Sequence, residues 1–586
     1  MNYPIWELPA PGLLIAAVAV VHVFISHFAV GGGLFLVLAE KKARAGGDEA
    51  FLAFVRSLSG FFILLTLVLG ALTGVGIWFT IALVQPQATS ALVTAFVWGW
   101  AIEWTFFAVE IAAAMVYYYG WDRLDARTHV RVGWIYFVSA WASLAVISGI
   151  LSFMATSGEW VITRRFADGI LNPTYWPTVA LRTAVAVGLA GLYALLAASF
   201  VKDPGLKARV ARWSLTRWIV PAAVLIPATL LWYLSAAVDA GVAVAETLGA
   251  GGTGSGALLA AVLSSSVASG HPIVRQAAFV SVAGAALLVL GALALAALRA
   301  RTYRWVEAAL LMLLGFVSMG ASEWVREGLR KPWVIDRYMF VNSVRLPASA
   351  NGAVLEDPFT VAALTERGVL ATARFATVPA GYRPGFPEFE DLEPAARAAI
   401  MEEAGREVFR LECSTCHTVS GHLGIRRLVQ GQGVATIEAT LDSLAKPVTA
   451  DGDPTAWSNP QARVETRLGR RMPPFVGTDS EKRALAIHLS RLGGDAEAGV
   501  ADAVSASPGA EAFEIYCAAC HGPDSEWPIA DRLRGRSSDQ LFDLIGRLEE
   551  AREEMAPFAG TEEERAALAE HLAGLSASAS DEEVMP

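Results

Sequence analysis

The 586-residue sequence predicts an all-α protein: a polytopic bundle of about eight transmembrane helices followed by two small helical domains. Three observations predict this. Hydrophobic residues make up 54% of the chain and mean hydropathy is +0.45, high for a soluble enzyme. Long apolar runs alternate with short charged clusters up to about residue 330, after which the sequence becomes ordinary, polar and acidic. In that second part "GREVFRLECSTCH" and "GAEAFEIYCAACH" place a Gly, a Phe and two Cys at matching offsets, an internal repeat. The net charge of −10 is concentrated there, which argues against nucleic acid as a partner.

Taken in order, apolar stretches of the roughly 20 residues that span a bilayer start near Leu13, Phe61, Ala91, Trp134, Val179, Trp218, Ala277 and Val306. Lys and Arg accumulate in cytoplasmic loops. Lys41, Lys42 and Arg44 follow the first helix and Arg123, Arg127 and Arg131 the third. Lys202, Lys207, Arg209 and Arg212 follow the fifth, and Arg299, Arg301 and Arg304 the seventh. The intervening loops are nearly bare: "QPQATS" has no basic residue and the loop after the fourth helix has Arg164 and Arg165. The chain is therefore expected in a bacterial inner membrane, with its N-terminus and everything after the eighth helix on the periplasmic side. No Lys or Arg precedes residue 41, so the first helix is expected to serve as its own uncleaved signal. The expected domains are 1–335, transmembrane; 336–399, a Pro-, Gly- and Ala-rich extracytoplasmic connector ("VPAGYRPGFPEF"); and two helical modules, 400–496 and 505–578.

The four cysteines all lie beyond residue 410 in two CxxC pairs, for which disulfide staples are one reading. Each pair, however, runs directly into histidine: Cys413-Ser-Thr-Cys416-His417 and Cys517-Ala-Ala-Cys520-His521. That is the signature of covalent haem c attachment, in which two thiolates join the haem vinyls and the histidine takes the iron. Attachment takes place outside the cytoplasm, where an even helix count delivers this part of the chain. A sixth ligand is expected from Met472 in "RRMPPF", 55 residues after His417, and from Met555 in "MAPF", 34 residues after His521. A Met beside Pro is held on a turn, which suits a thioether aimed at iron, with core packing as the alternative. Thioether ligation raises the reduction potential, so both haems are expected to be electron carriers. His488 and His571, on the closing helices, read as ordinary surface or interface residues, and His422 as a weak competitor for iron. The two modules resemble class I c-type cytochromes over residues 400–578.

Polar residues inside apolar helices mark candidate sites. Glu103 and Glu110, seven apart, share one face of the third helix. They read as proton-transfer steps or haem neighbours, against the alternative of structural hydrogen bonds to another helix. Glu323 and Glu327 share a face of the eighth helix, flanked by Arg326 and Arg330, in its last two turns before Pro332 and Trp333. His22 and His27 interrupt "VVHVFISHFAVGGG" in the first helix.

On these residues the first 335 positions resemble the large subunit of cytochrome bd oxygen reductases. "YYYGWDRLDARTHV" is similar to the end of that family's third helix, Glu327, Arg330, Pro332 and Trp333 fall in its Glu-x-x-Arg-x-Pro-Trp signature, and His22 stands where its first helix carries a haem ligand. The resemblance implies two non-covalent haems, b and b or b and d. Glu327 would be axial to the high-spin b haem with Arg330 beside it, and His22 axial to a haem of the same buried pair. Glu110 and Glu103 would lie beside the oxygen-binding haem, although the family spaces its two glutamates slightly differently. It also implies a second membrane subunit. His27 lies about 140° around the helix from His22, too far to share its metal, and its role stays open.

The departures point to function. In "VALRTAVAVG" Arg182 stands where the family has the histidine of a third, low-spin b haem. Helices five to seven contain no Met, and His271, at a loop edge, is the only histidine between residues 177 and 299, so that haem is expected to be absent. The loop that binds quinol in the family is bland here ("GAGGTGSGALLAAVLSSS"), without Lys or Arg from Tyr233 to His271. The expected activity is reduction of oxygen to water with electrons from an extracytoplasmic donor, soluble cytochrome c or similar, passed through the haems c. Alternatives are a quinol dehydrogenase running electrons outward, nitric oxide reduction, and a non-catalytic electron-transfer hub.

Overall fold

The computed structural model describes residues 3–263, 272–350, 353–383, 385, 387–445 and 472–494, and near the C-terminus 509, 512–513, 516–517, 521, 533, 536–548, 558 and 560–578. The described residues divide into two compact units, one within 11–356 and a second formed by residues within 3–10, 357–445 and 472–578.

Among the described residues the first unit holds eight helices long and apolar enough to cross a membrane: α1 (Pro11–Ala45), α2 (Glu49–Val84), α3 (Val97–Tyr119), α4 (Ala126–Phe153), α5 (Tyr175–Ser199), α6 (Pro204–Asp239), α7 (Ile273–Arg299) and α8 (Trp305–Arg330). The number agrees with the sequence reading, but α2 and α6 start more than ten residues before their apolar runs. The cause is local. Asp48 caps α2 through the Phe51 N–H at 3.0 Å, and Asp203 caps α6 through Gly205 and Leu206, with Pro204 in the first turn. Their first turns are charged, which a search for apolar runs passes over. Both helices, and α7, then pass through a wide π-helical turn, at Leu64–Gly70, Leu215–Ile219 and Leu295–Arg299.

Hydrophobicity cannot drive association of helices within lipid, so close approach of small residues and side-chain packing must. The Gly31-Gly32-Gly33 run in α1 supplies this on three sides. A Cβ at Gly31 would lie 1.9 Å from the Ala186 carbonyl oxygen of α5, one at Gly32 2.8 Å from Phe62 of α2, and one at Gly33 2.3 Å from the Tyr136 ring of α4. Phe28 stacks on Tyr193 with ring centroids 3.9 Å apart, tightening the α1–α5 contact.

After α8 the chain turns back through a hairpin of β1 (Trp333–Ile335) and β2 (Met339–Phe340), with Trp333 stacked on Phe340 at 4.1 Å. Between the strands the Asp336 carboxylate accepts bonds from the Ser157 amide and hydroxyl, both at 3.1 Å. Burial pushes the Asp336 carboxyl up, against the opposing pull of Arg337 and Ser157. Residues 336–356 of the expected connector thus fall within the first unit.

In the second unit α9 (Pro394–Glu412), α10 (Val434–Ala445) and α11 (Asp479–Gly493) precede α12 (Ser538–Ile545) and α13 (Glu562–Ser578). Helices α9 and α11 cross where a Cβ at Gly405 would be 2.0 Å from the Ala484 carbonyl oxygen and 2.8 Å from His488 Cβ. The same crossing recurs at α13: a Cβ at Gly509 would be 2.1 Å from the Ala567 carbonyl oxygen and 2.7 Å from His571 Cβ. Phe409 with His488 and Phe513 with His571 make matching ring contacts at 6.0 and 5.7 Å. The sequence repeat is therefore also a repeat of packing.

Candidate haem sites and a polar ladder

His22 is half-buried, and its ring is set by α2. The Thr73 hydroxyl donates to the Leu69 carbonyl at 2.7 Å, so its oxygen accepts from His22 Nδ1–H at 3.1 Å. That bond fixes the tautomer and leaves Nε2 with a lone pair, as a metal ligand requires. Gly74 makes the room: a Cβ there would be 3.1 Å from His22 Cε1.

Glu327 is held as a carboxylate by Arg330, whose Nε donates from 3.2 Å, and by Lys331 at 3.1 Å. Arg330 is itself tied to the Val334 carbonyl at 2.8 Å, so the hairpin after α8 positions the guanidinium. A carboxylate beside two cations would suit an anionic ligand to a haem iron, with partners for acidic haem substituents. Phe24 faces Gly315 and Val20 faces Gly320, which shows α1 and α8 to be antiparallel. Counting from the Val20–Gly320 level, His22 and Glu327 lie on opposite sides of it, about 13 Å apart along the bundle at 1.5 Å per residue. The two side chains fit two irons rather than one.

Glu103 and Glu110 do face a neighbouring helix. The Ser143 hydroxyl donates to Glu103 at 2.9 Å, and the Tyr136 hydroxyl lies 3.0 Å from both Glu110 Oε1 and the Ala29 carbonyl. One turn-pair further along α3, Tyr117 meets His129 of α4, and both join Glu40 of α1. The sequence reading missed this last cluster. Its one available signal was spacing: 103, 110 and 117 on α3 against 143, 136 and 129 on α4, each seven apart.

His27 is buried and its Nδ1–H donates to the Val23 carbonyl at 2.7 Å. The charges of Arg182 and Glu323 act on it. Arg182 approaches Glu323 at 4.0 Å across the α5–α8 interface, and Arg326 holds the other oxygen of Glu323 at 2.8 Å.

In the second unit Cys413 and Cys416 lie in and just after the turn that ends α9. His417 Nδ1–H donates to the Leu423 carbonyl at 3.0 Å, again leaving Nε2 for a metal, and burial lowers its proton affinity. The backbone closes the same turn in both motifs: His417 N–H to the Cys413 carbonyl and His521 N–H to the Cys517 carbonyl, each at 2.9 Å. Met472 opens the segment that leads into α11. Cys520 and Met555 lie outside the described residues, as does His271. His488 sits in the α9–α11 interface, buried, with Nδ1 2.8 Å from Glu402.

The family model of Cytochrome bd terminal oxidase subunit I matches residues 13–247, and that of Cytochrome C oxidase, cbb3-type, subunit III matches residues 504–572. The first match takes in His22, Glu103 and Glu110 but stops before Glu327 and Arg330; the second takes in Cys517–His521 but not Cys413–His417. A search of curated proteins finds no match. Among solved structures, the bd oxidase from Geobacillus thermodenitrificans is similar with a TM-score of 0.45 and 16% identity, over 56% of this chain and 89% of that one. A cytochrome bd subunit I domain joined in one chain to a cytochrome c domain defines a membrane-bound haem oxidoreductase.

Proposed function

We propose that the protein reduces oxygen to water in a bacterial inner membrane, drawing electrons from a periplasmic donor such as soluble cytochrome c. The observation that carries this reading is the union of a bd subunit I domain and a cytochrome c domain in a single chain. The bare loop between α6 and α7, with Arg182 in place of a haem-ligating histidine, supports a donor other than quinol.

Two covalent haems c and two non-covalent haems in the bundle, when bound, supply the electron-transfer and oxygen-binding chemistry. The residues have separate roles. Cys413, Cys416, Cys517 and Cys520 would anchor the covalent pair, and His417, Met472, His521 and Met555 would hold their irons. His22 and Glu327 hold the buried pair, with Arg330 keeping Glu327 ionised. Glu103 and Glu110 hand over the four protons that accompany four electrons into each oxygen molecule. A second membrane subunit is expected to complete the bundle.

Oxygen uptake by purified protein tests this. Reduced cytochrome c or an artificial one-electron donor is expected to drive uptake and quinols are not, and carbon monoxide is expected to shift the spectrum of the reduced protein. Robust quinol oxidation would reverse the assigned electron flow. Absence of any carbon monoxide shift would leave an electron carrier without a gas site.

A further inference from the structure

We propose that Glu412 is a redox-linked proton site for the first haem c, taking up a proton when that site gains an electron and returning it when the electron moves on. This rests on the haem proposed above for Cys413–His417. It makes the driving force of the step that carries electrons away from that motif depend on pH.

Glu412 ends α9 and is joined directly to Cys413, on whose sulfur its charge acts. It also reaches the segment that carries the expected thioether ligand. Its Oε2 accepts the Val476 N–H at 3.4 Å, four residues after Met472. The side chain thus bridges the two stretches expected to hold the haem, and it is only 5% exposed. Little water is left there to screen its charge from one on the iron.

The hydrogen bonds place a proton on Glu412. An ionised carboxylate has about four lone-pair sites to fill. Glu412 fills one, through a bond at the long end of the N–H···O range. Its Oε1 is buried and has no partner among the described residues. The titratable groups that act on it or with it are Cys413, which would become a thioether on haem attachment, and Glu481 of α11. Glu481 is 3% exposed, and its oxygens accept the N–H groups of Val369, Leu370 and Thr478 at 2.9, 2.7 and 2.9 Å. Three donors converge on Glu481 where one weak donor serves Glu412. Of two neighbouring carboxyls, the better supplied keeps the charge and the other keeps the proton. Burial accordingly pushes the Glu412 carboxyl well above the ordinary range; the Val476 N–H pulls it down and Glu481 adds to the rise. The nearby guanidiniums are engaged elsewhere: Arg383 acts on Glu481 and Glu407, and Arg410 is bound to Glu407 at 2.8 Å.

The repeat supplies an internal comparison. Glu412 and Tyr516 each stand seven residues after a crossing glycine, Gly405 or Gly509. Glu481 and Glu564 cap their helices alike, through the Thr478 and Thr561 N–H groups at 2.9 and 2.6 Å. In the second module the Tyr516 hydroxyl donates to Glu564 at 3.4 Å. A hydroxyl facing a carboxylate is satisfied at any ordinary pH, whereas a carboxyl facing a carboxylate is satisfied only while protonated. The tyrosine shows that packing at this place does not require a carboxyl.

The exchange balances. With each electron that arrives from the one-electron donor, Glu412 takes one proton from water on the same side, so the charge of the site is unchanged. When the electron passes on, the carboxyl releases that proton. An electron and a proton held at one place favour each other reciprocally.

Spectroelectrochemical titration of the full-length protein, at pH values upward from the ordinary glutamate value of about 4.3, tests this. The midpoint potential of one c-type component is expected to fall as the pH rises, by up to about 59 mV for each tenfold drop in proton activity. In Glu412→Gln that slope is expected to shrink about twofold or more, with covalent haem content unchanged. Glu412→Tyr installs the arrangement of the second module and is expected to lose the slope as well, and it decides if the glutamine variant does not fold. A parent without a slope, or a slope retained in the folded Glu412 variants, overturns the proposal and leaves the haem reading intact. Peptide mapping that finds covalent haem at Cys517 and Cys520 alone overturns the haem reading of the first motif and the proposal with it.

Discussion

Tyr136 reaches Glu110 at 3.0 Å only because Gly33 lies beneath its ring. A Cβ at Gly33 would stand 2.3 Å from Tyr136 Cε1 and 2.5 Å from Cδ1. Gly33→Ala is therefore expected to push the ring away from Glu110 and to cost about 1–3 kcal/mol, the usual penalty for overpacking. Thermal unfolding in detergent measures the second effect. Turnover with an artificial donor measures the first, and should fall further than in an equally destabilised variant remote from the bundle interior.

The levels of His22 and Glu327 predict independent haem losses. On the proposed cofactor set, His22→Ala and Glu327→Ala should each remove one non-covalent haem and leave the covalent ones, as counted by pyridine haemochrome after acid-acetone extraction. If the two side chains shared one iron, either change would abolish the same spectral component and the double variant would add nothing.

Much of this was readable from the sequence, and what was not has physical causes. Eight spans follow from apolar length alone, because lipid forces every backbone group into internal hydrogen bonds. Glu103 and Glu110 were readable as a pair because a spacing of seven fixes a helix face without knowledge of the neighbour. Glu40 was not, because it precedes Lys41 and Lys42 and reads as one more charge at a membrane boundary. Its partner His129 is 89 residues away, and nothing local announces a pairing made by tertiary packing. The Gly31–Gly33 run was visible as a pattern, but that each glycine serves a different neighbouring helix depends on rotation about α1.

Arg182 and Glu323 give a third prediction. Arg182, Glu323 and Arg326 form a partly buried cluster in which one carboxylate faces two cations, with Arg182 12% and Glu323 22% exposed. Removing the carboxylate leaves two like charges in a poor solvent for them. Breaking a fully buried pair costs about 3–5 kcal/mol, and residual exposure reduces this to about 2 kcal/mol here. Glu323→Gln should lower the unfolding temperature, and the double change Arg182→Leu with Glu323→Leu should recover part of the loss. A double-mutant cycle without coupling would show that the pair is incidental.

The second unit carries a pH prediction. Burial alone would raise the Glu402 carboxyl, but the bond from His488 and the nearby Arg491 guanidinium hold it below the ordinary carboxylate range. A carboxyl with a lower pKa in the folded state stabilises the fold above its unfolded value, about 4.3 for glutamate. That contribution disappears as the pH falls through the lower folded value. Glu402→Gln should therefore unfold at a lower temperature than the parent at pH 5.5 and above, and the two curves should converge as the pH drops below 4. With covalent haem attached as proposed, the haem spectrum of the full-length protein reports the transition. Other carboxylates shift both proteins alike, so the difference between the curves isolates Glu402. A constant difference across the whole range would mean that the glutamine had disturbed the α9–α11 packing around Gly405 rather than removed a titrating partner.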